Sequence, residues 1–420
     1  MGVFLILWTG FWTFIGGALP LHAQEVIHIH EGNRNPMALV VSDFSGSQGQ
    51  KITKILQENL VSSGLFFTLQ SCPKPYENPT QPQDLKMWKQ KGAQILITGN
   101  VETTAQGLYT QLHIFDVIQN KILTSVYGTH ADSRRLAHDL SNKVYETLTG
   151  LPGYFTSHIL YTTAAVGNKP QRVAMMDYDG HNHKFLSPDS FMAIVPRLSP
   201  SQRYVAFVSY VTKPAHIFVI DLETQVTKPL LPPHPQIMTY APSFTPKGDL
   251  LFAMARGRGS SLWFYDTQKQ KARPLTPHRQ HIIDTSPSAD PWGENLVFNS
   301  DRSGSAQLYI LSLKDNHVRP LTMGPGQYFA CSWSPDGQWI AFVKQWQKEF
   351  FLGIIRPDGT QERLLVSDDI IDTPSWSPDS RMIAFAAQSK RGETLELYKI
   401  HRNGQGLMPL SRQGSHPCWK

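Results

Sequence analysis

The sequence predicts a small α/β amino-terminal domain followed by an all-β six-bladed β-propeller closed by the C-terminal strand. Three observations carry this reading. A hairpin motif, Cys331-Ser332-Trp333-Ser334-Pro335-Asp336-Gly337 followed by Ile340-Ala341-Phe342-Val343, returns as Pro374-Ser375-Trp376-Ser377-Pro378-Asp379-Ser380 followed by Ile383-Ala384-Phe385-Ala386. The turn prolines Pro200, Pro246, Pro291, Pro335 and Pro378 fall 46, 45, 44 and 43 residues apart. A first repeat lacking one strand, at 158–186, is answered by a lone strand-like segment, His416-Pro417-Cys418-Trp419, at the far end.

Each motif copy reads as a strand, a tight turn and a second strand. Proline presets φ for the turn, and Asp followed by Gly or Ser tolerates the tight residues after it. Weaker copies begin at Pro196, Pro242 and Pro287, and each is followed by two further strands, the last of the Pro-Leu-Thr type, as in Arg273-Pro274-Leu275-Thr276. Four strands in roughly 40–50 residues is the period of a propeller blade. Five full copies span 196–411, and the segment ending at Trp419 completes the short first blade, so the ring is expected to leave no open sheet edge. The tryptophans at 333, 376 and 419 are expected in the core rather than in a ligand cage.

Ahead of the ring, residues 1–23 form an apolar, aromatic leader ending Leu21-His22-Ala23. It reads as a secretory signal with a small residue at the cut. The competing reading is a retained anchor, because the apolar run approaches spanning length. Residues 24–150 have a different texture, with a buried strand at Met37-Ala38-Leu39-Val40-Val41, helical spacing through Ile52, Ile55, Leu56 and Leu60, and further strands at 65–69 and 93–100. A Pro-rich loop at 72–82, a short helix at 84–92 and an antiparallel pair at 108–117 and 121–127 complete the pattern. A linker helix over 133–149 carries Leu136, Leu140, Val144 and Leu148 as one stripe and ends at Gly150. The propeller follows from 151 to 420.

The chain holds 39 Lys and Arg against 33 Asp and Glu, scattered without a basic run, which is an ordinary solvated surface and argues against nucleic acid. Cys72, Cys331 and Cys418 form no metal-ligand spacing and are expected as free thiols. No nucleophile elbow, HExxH or phosphate-binding loop is present. His28 and His30 alternate on one extended face that reads as solvated, Asp177, Asp179, Asp221, Asp266 and Asp358 sit beside turns as loop caps, and His138 is expected to fix a domain junction. No cofactor, no metal and no catalytic residue is expected, and the chain is expected to be a monomer.

The stretch from Arg134-Arg135-Leu136-Ala137-His138-Asp139-Leu140 to Gly150, with Gly153-Tyr154-Phe155 after it, resembles the linker helix of the TolB family, the periplasmic propellers of the Tol–Pal envelope system. Asp177-Tyr178-Asp179-Gly180-His181-Asn182 is similar to that family's first blade, and Glu25-Val26-Ile27-His28-Ile29 to its mature amino terminus. The likeness covers nearly all of 24–420. It departs at the uncharged leader, at Asp290-Pro291-Trp292-Gly293, and at Lys247 in place of Asp.

Membership would imply a periplasmic, non-enzymatic adaptor for outer-membrane integrity and envelope constriction during division. Its partners would be the lipoprotein Pal at the channel mouth, TolA at Glu25, Val26, Ile27, His28 and Ile29, and further outer-membrane lipoproteins. The loops entering the innermost strands, 191–195, 237–241, 282–286, 327–330 and 370–373, converge on that mouth. They offer Met192, Met238, Thr239, Tyr240, Ala241, Thr285, Ser286, Tyr328, Phe329, Asp372 and Thr373 as partner-binding residues. The alternative is an exported propeller acting as the substrate-binding or gating domain of a hydrolase.

Overall fold

The computed structural model describes residues 36–69, 82–164, 170–388 and 394–420. The expected leader at 1–23, the segment Glu25 to Ile29, His28 with His30, and most of the Pro-rich loop with Cys72 lie outside the described residues.

The amino-terminal unit is one five-stranded sheet with helices on both faces. Its elements are β1 (Met37–Val41), α1 (Gly49–Ser62), β2 (Phe66–Thr68), α2 (Pro82–Gln90), β3 (Ile95–Thr104), β4 (Gly107–Asp116), β5 (Lys121–His130) and α3 (Ser133–Thr149). Strand order is β2-β1-β3-β4-β5, with β1 parallel to both neighbours and β3, β4 and β5 antiparallel. The continuous apolar run of β1 follows from burial on both faces, since alternate residues face opposite ways. Leu39 and Val41 join the core under α1 and α3, whereas Val40 packs with Trp88 of α2. Strand β3 runs to Thr104, beyond the expected end at 100, because its polar tail still pairs with β4 through Thr103 and Thr104.

Helix α3 is capped at its start by Asp132, whose carboxylate accepts the Arg134 N–H at 3.0 Å, and at its end by Gly150 in the left-handed region. Its buried stripe of Leu136, Leu140, Val144 and Leu148 covers the sheet.

Six four-stranded antiparallel sheets follow. The innermost strands of blades two to six are Ala193–Leu198, Ile237–Phe244, Asp284–Ala289, Gln327–Trp333 and Ile370–Trp376. Blade one takes its innermost strand from the end of the chain, with Ser415–Trp419 pairing His158–Ala164 in the register Trp419 to Ile159 and Cys418 to Leu160. The ring closes as the sequence predicts.

The turn between the first two strands of blades two to six has a common physical device. The side-chain oxygen of Ser199, Thr245, Asp290, Ser334 or Ser377 accepts a backbone N–H four or five residues on, from Tyr204, Asp249, Glu294, Trp339 or Met382. The divergent blade-four turn therefore obeys the rule: Asp290 does the work of the serine, through Glu294 N–H at 2.8 Å and Asn295 N–H at 3.1 Å. What recurs is an oxygen at the first position, while the Pro-Asp-Gly letters drift.

Trp419 is almost fully buried. Its indole Nε1 donates to Ser157 Oγ at 2.7 Å, its backbone N–H donates to Ser375 Oγ of blade six at 2.9 Å, and its ring meets Tyr154 edge-on at 5.8 Å. Truncating a large buried aromatic costs about 3–5 kcal/mol. Deleting 416–420 should therefore lower the melting transition sharply, as measured by calorimetry, and a truncated protein that melts like the intact one would contradict closure by this strand.

Candidate functional site

Two assemblies of polar and aromatic side chains stand out, the central channel and the junction with the small domain. The first is the channel. Every innermost strand carries one extra residue relative to its partner strand. In blade three the pairing runs Tyr240 to Ala253 and then Ser243 to Leu251; in blade four, Thr285 to Asn299 and then Ser288 to Val297. The same slip occurs in the other four blades. A bulge of this kind bends the strand and re-aims its side chains.

At each bulge a non-glycine residue takes a left-handed backbone: Val195, Ala241, Ser286, Ala330, Thr373 and His416, with φ between 35° and 54°. All six line one central cavity of about 920 Å³. Such conformations cost roughly 1–2 kcal/mol each for L-residues, so a sixfold repeat of them around the channel is a constraint that the strand packing imposes.

The bulges also decide which expected residues reach the channel. Met238, Tyr240, Ala241, Thr285, Ser286, Phe329, Asp372 and Thr373 line the cavity. Tyr328 does not, and the reading of it as an exposed interface aromatic is corrected. It is fully buried, its hydroxyl donates to Glu362 at 3.0 Å, and its ring lies 4.7 Å from the Lys344 Nζ that also pairs with Glu362. Thr239 is likewise buried, its Oγ1 accepting the Ile217 N–H at 2.9 Å between strands. Thr373 lines the cavity yet is itself mostly buried, with its hydroxyl donated to Asp372. Met192 is exposed on the same end of the ring but outside the cavity wall. The reason is the pleat: neighbouring side chains on a strand point to opposite faces, so Tyr328 turns into the blade while Phe329 turns to the channel.

Residues that the motif reading passed over also line the cavity, among them Arg197, Ile283, Asp301, His416 and Cys418. Asp372 faces His416 at 3.4 Å. Cys331 and Cys418 are buried free thiols; Cys331 donates to Ser286 O, and burial pushes its thiol up to about 12, which leaves it unreactive.

The second assembly joins the small domain to blades one and six. Arg134 of α3 reaches Asp179 and lies 3.8 Å from Asp177, and His138 Nε2 lies 3.7 Å from Asp179. His138 Nδ1 meets Asn59 of α1 at 3.0 Å, and Asn59 also accepts from Tyr178. His138, Asp177 and Asp179 are close enough to share a cation, but the Arg134 guanidinium already supplies positive charge between the two carboxylates. Tyr145 of α3 donates to Asp379 in the blade-six turn at 3.1 Å. Gly64, left-handed at the end of α1, sits where a Cβ would lie 2.5 Å from His401, so no side chain fits there. Asp221, Asp266 and Asp358 accept backbone N–H groups of their own turns, the capping role their positions suggest.

Burial, aided by Arg134 and Arg135, holds His138 down to about 4, and burial with Arg381 and Lys399 does the same to His401. Burial would raise Asp179, yet Arg134 and His138 hold its carboxyl below the usual range.

Both histidines are neutral when folded and take up a proton more readily when unfolded. Their contribution is therefore intact above the unfolded value of 6.5 and is lost as pH falls toward 4. Burial raises Asp379, which works in the opposite direction. The net expectation is a melting temperature that drops between pH 6.5 and 4, with His401→Gln flattening the drop; a pH-independent transition over that window would contradict it.

A closed ring with a lined channel and a docked α/β domain defines a two-part propeller protein whose channel offers a binding surface. The sequence matches the TolB amino-terminal domain over residues 25–123 and the TolB beta propeller domain over 145–420. It is 31% identical, over 85% of this chain and 78% of the relative, to the Tol-Pal system protein TolB of Gluconobacter oxydans. The crystal structure of TolB from Acinetobacter baumannii superposes with a TM-score of 0.81 at 24% identity, covering 92% of this chain and 97% of that one. Hydrazine synthase of Kuenenia stuttgartiensis, at a TM-score of 0.52 and 13% identity over 63% of this chain and 46% of its own, shares the fold alone. The chain belongs to the TolB family and is a non-catalytic component of the Tol–Pal system.

Proposed function

We propose that this protein is a periplasmic adaptor that binds the lipoprotein Pal at the channel mouth and TolA through its amino-terminal segment, serving outer-membrane integrity and envelope constriction during division. Other outer-membrane lipoproteins are further candidates for the same mouth. The observation that carries the reading is the placement of exposed apolar side chains. Met192, Ile283, Met323 and Ile370 lie at the entries to innermost strands, and Tyr210 and Trp346 at the hairpins between second and third strands. All of these open on the end of the ring away from the small domain. Met323, the most exposed of them, is 84% exposed.

Aromatic and methionine side chains around a preformed depression suit a protein interface, because they bury area at low entropy cost. The small domain, held to blades one and six, leaves that end free. No helix among the described residues is long and apolar enough to cross a membrane.

Changing Tyr240 or Ile283 to Ala should each weaken Pal binding by about 2 kcal/mol if they are hot spots, with the fold intact. Tyr328→Ala should instead lower stability, and calorimetry of both binding and melting separates the two; wild-type Pal affinity in the folded Tyr240→Ala, Ile283→Ala double variant would move the site elsewhere.

For TolA, Glu25, Val26, Ile27, His28 and Ile29 are proposed to pair as an extended segment, a common mode of peptide recognition. Removing 24–32 from the mature chain should abolish TolA binding and leave the thermal transition almost unchanged. Retained TolA binding would overturn the assignment.

A further inference from the structure

Two residues after each left-handed bulge residue, the innermost strands place one residue at equivalent positions of the channel wall. Around the ring these are Arg197, Ser243, Ser288, Ser332, Ser375 and Cys418, and all six line the cavity. Five are small and uncharged. Ser288 and Ser375 do structural work there, their hydroxyls accepting the N–H of Trp333 and of Trp419 in the next blade at 3.0 and 2.9 Å. Arg197 cannot fill that role, and its long cationic side chain is the one departure from the column.

The surroundings of Arg197 leave its charge uncompensated. Its Nη1 donates to Pro196 O at 2.8 Å, and no carboxylate among the described residues stands within ion-pair distance. Three arginines of the propeller show what pairing looks like: Arg302 holds both oxygens of Asp284 at 2.8 and 2.9 Å, Arg203 pairs Asp221, and Arg402 pairs Asp336. Asp372, which also lines the cavity, is already engaged, with Oδ1 accepting the Thr373 hydroxyl at 2.6 Å and Oδ2 facing His416. A guanidinium offers five N–H donors in a planar fork, and here most of that fork is open to the cavity.

We propose that Arg197 is a carboxylate-recognition subsite of the channel, engaged by an acidic side chain that the docked protein inserts through the mouth. The inference rests on the reading of the mouth as the Pal site and names the chemistry that recognises Pal there. The apolar rim buries area, and the guanidinium below it fixes register through a bidentate, charge-assisted pair. Position favours an inserted side chain over a flat contact, since Arg197 lies past the left-handed Val195, inside the wall of a cavity of about 920 Å³.

The test is calorimetry of the Pal periplasmic domain against the full mature chain at low and high salt, with Arg197→Met and Arg197→Lys and with melting checked for each. Losing a hydrogen-bonded charge pair should weaken binding about ten- to hundredfold in Arg197→Met and flatten its salt dependence, with Arg197→Lys intermediate. Replacing the acidic residues of Pal one at a time by their amides should find one whose effect vanishes in the Arg197→Met background. Should Arg197→Met fail to fold, the same cycle with Arg197→Lys decides. Unchanged affinity and salt dependence in a folded variant, or the absence of any coupled acid, overturns the proposal. Acetate or inorganic phosphate stabilising the wild type but not Arg197→Met, with Pal binding unaffected, would assign the arginine to free small anions and also overturn it. Pal failing to bind the wild type would sink the mouth reading itself.

Discussion

The constraint on which most of the structure depends is the seating of Trp419. Its strand supplies the missing ladder of blade one, its backbone ties to Ser375 of blade six, and its ring enters a cluster with Tyr154, which in turn meets Tyr145, Phe155 and Tyr178 edge-on or tilted. Tyr145 belongs to α3, so the residues that close the ring also bind the small domain to it. The buried apolar residues of the two parts, from Leu39 and Leu56 to Met382 and Trp419, form one continuous cluster. Burial of this kind is the dominant favourable term in folding, and here it makes closure and domain docking one packing problem.

That arrangement gives the two ends of the ring different characters. At the junction end, polar groups meet largely out of solvent: Arg134 reaches Asp177 and Asp179, His138 meets Asn59, and Tyr145 donates to Asp379. Such groups hold one geometry, because breaking any pair leaves a buried partner unsatisfied. At the mouth end, apolar side chains stand in solvent, and deeper in the channel wall Arg197 has no carboxylate partner among the described residues. The channel between them is lined by six bulges at equivalent places, each holding a left-handed residue.

The repeat also shows what a blade needs. Its letters vary from Ser-Pro-Asp-Gly to Asp-Pro-Trp-Gly, while the hydrogen bond from the first side-chain oxygen to a later backbone N–H is kept. The column of small residues facing the channel is kept as well, except at Arg197. Departures of the first kind are neutral to the fold because the acceptor survives. The second kind changes the chemistry of the wall.

The sequence by itself determined the class and count of elements. A period near 44 residues, a three-strand first repeat and Trp419 in register with Trp333 and Trp376 require six blades closed by the last strand, and the apolar stripes at 39–41 and 136–148 require a covered sheet. Part of the channel was legible too, since entry loops must converge at the axis whatever their letters. Which side chains of those loops face the axis was decided only by tertiary structure. The bulge inserts one residue into a pattern of period two, so alternation cannot be carried through it, and Tyr328 and Thr239 fall into the blade while Phe329 and Tyr240 reach the cavity. Arg197 was visible as a letter in a column of serines, but its meaning was not. Whether an arginine of the channel wall is paired depends on the neighbours that ring closure brings beside it from blades one and six, more than 170 residues away in the chain.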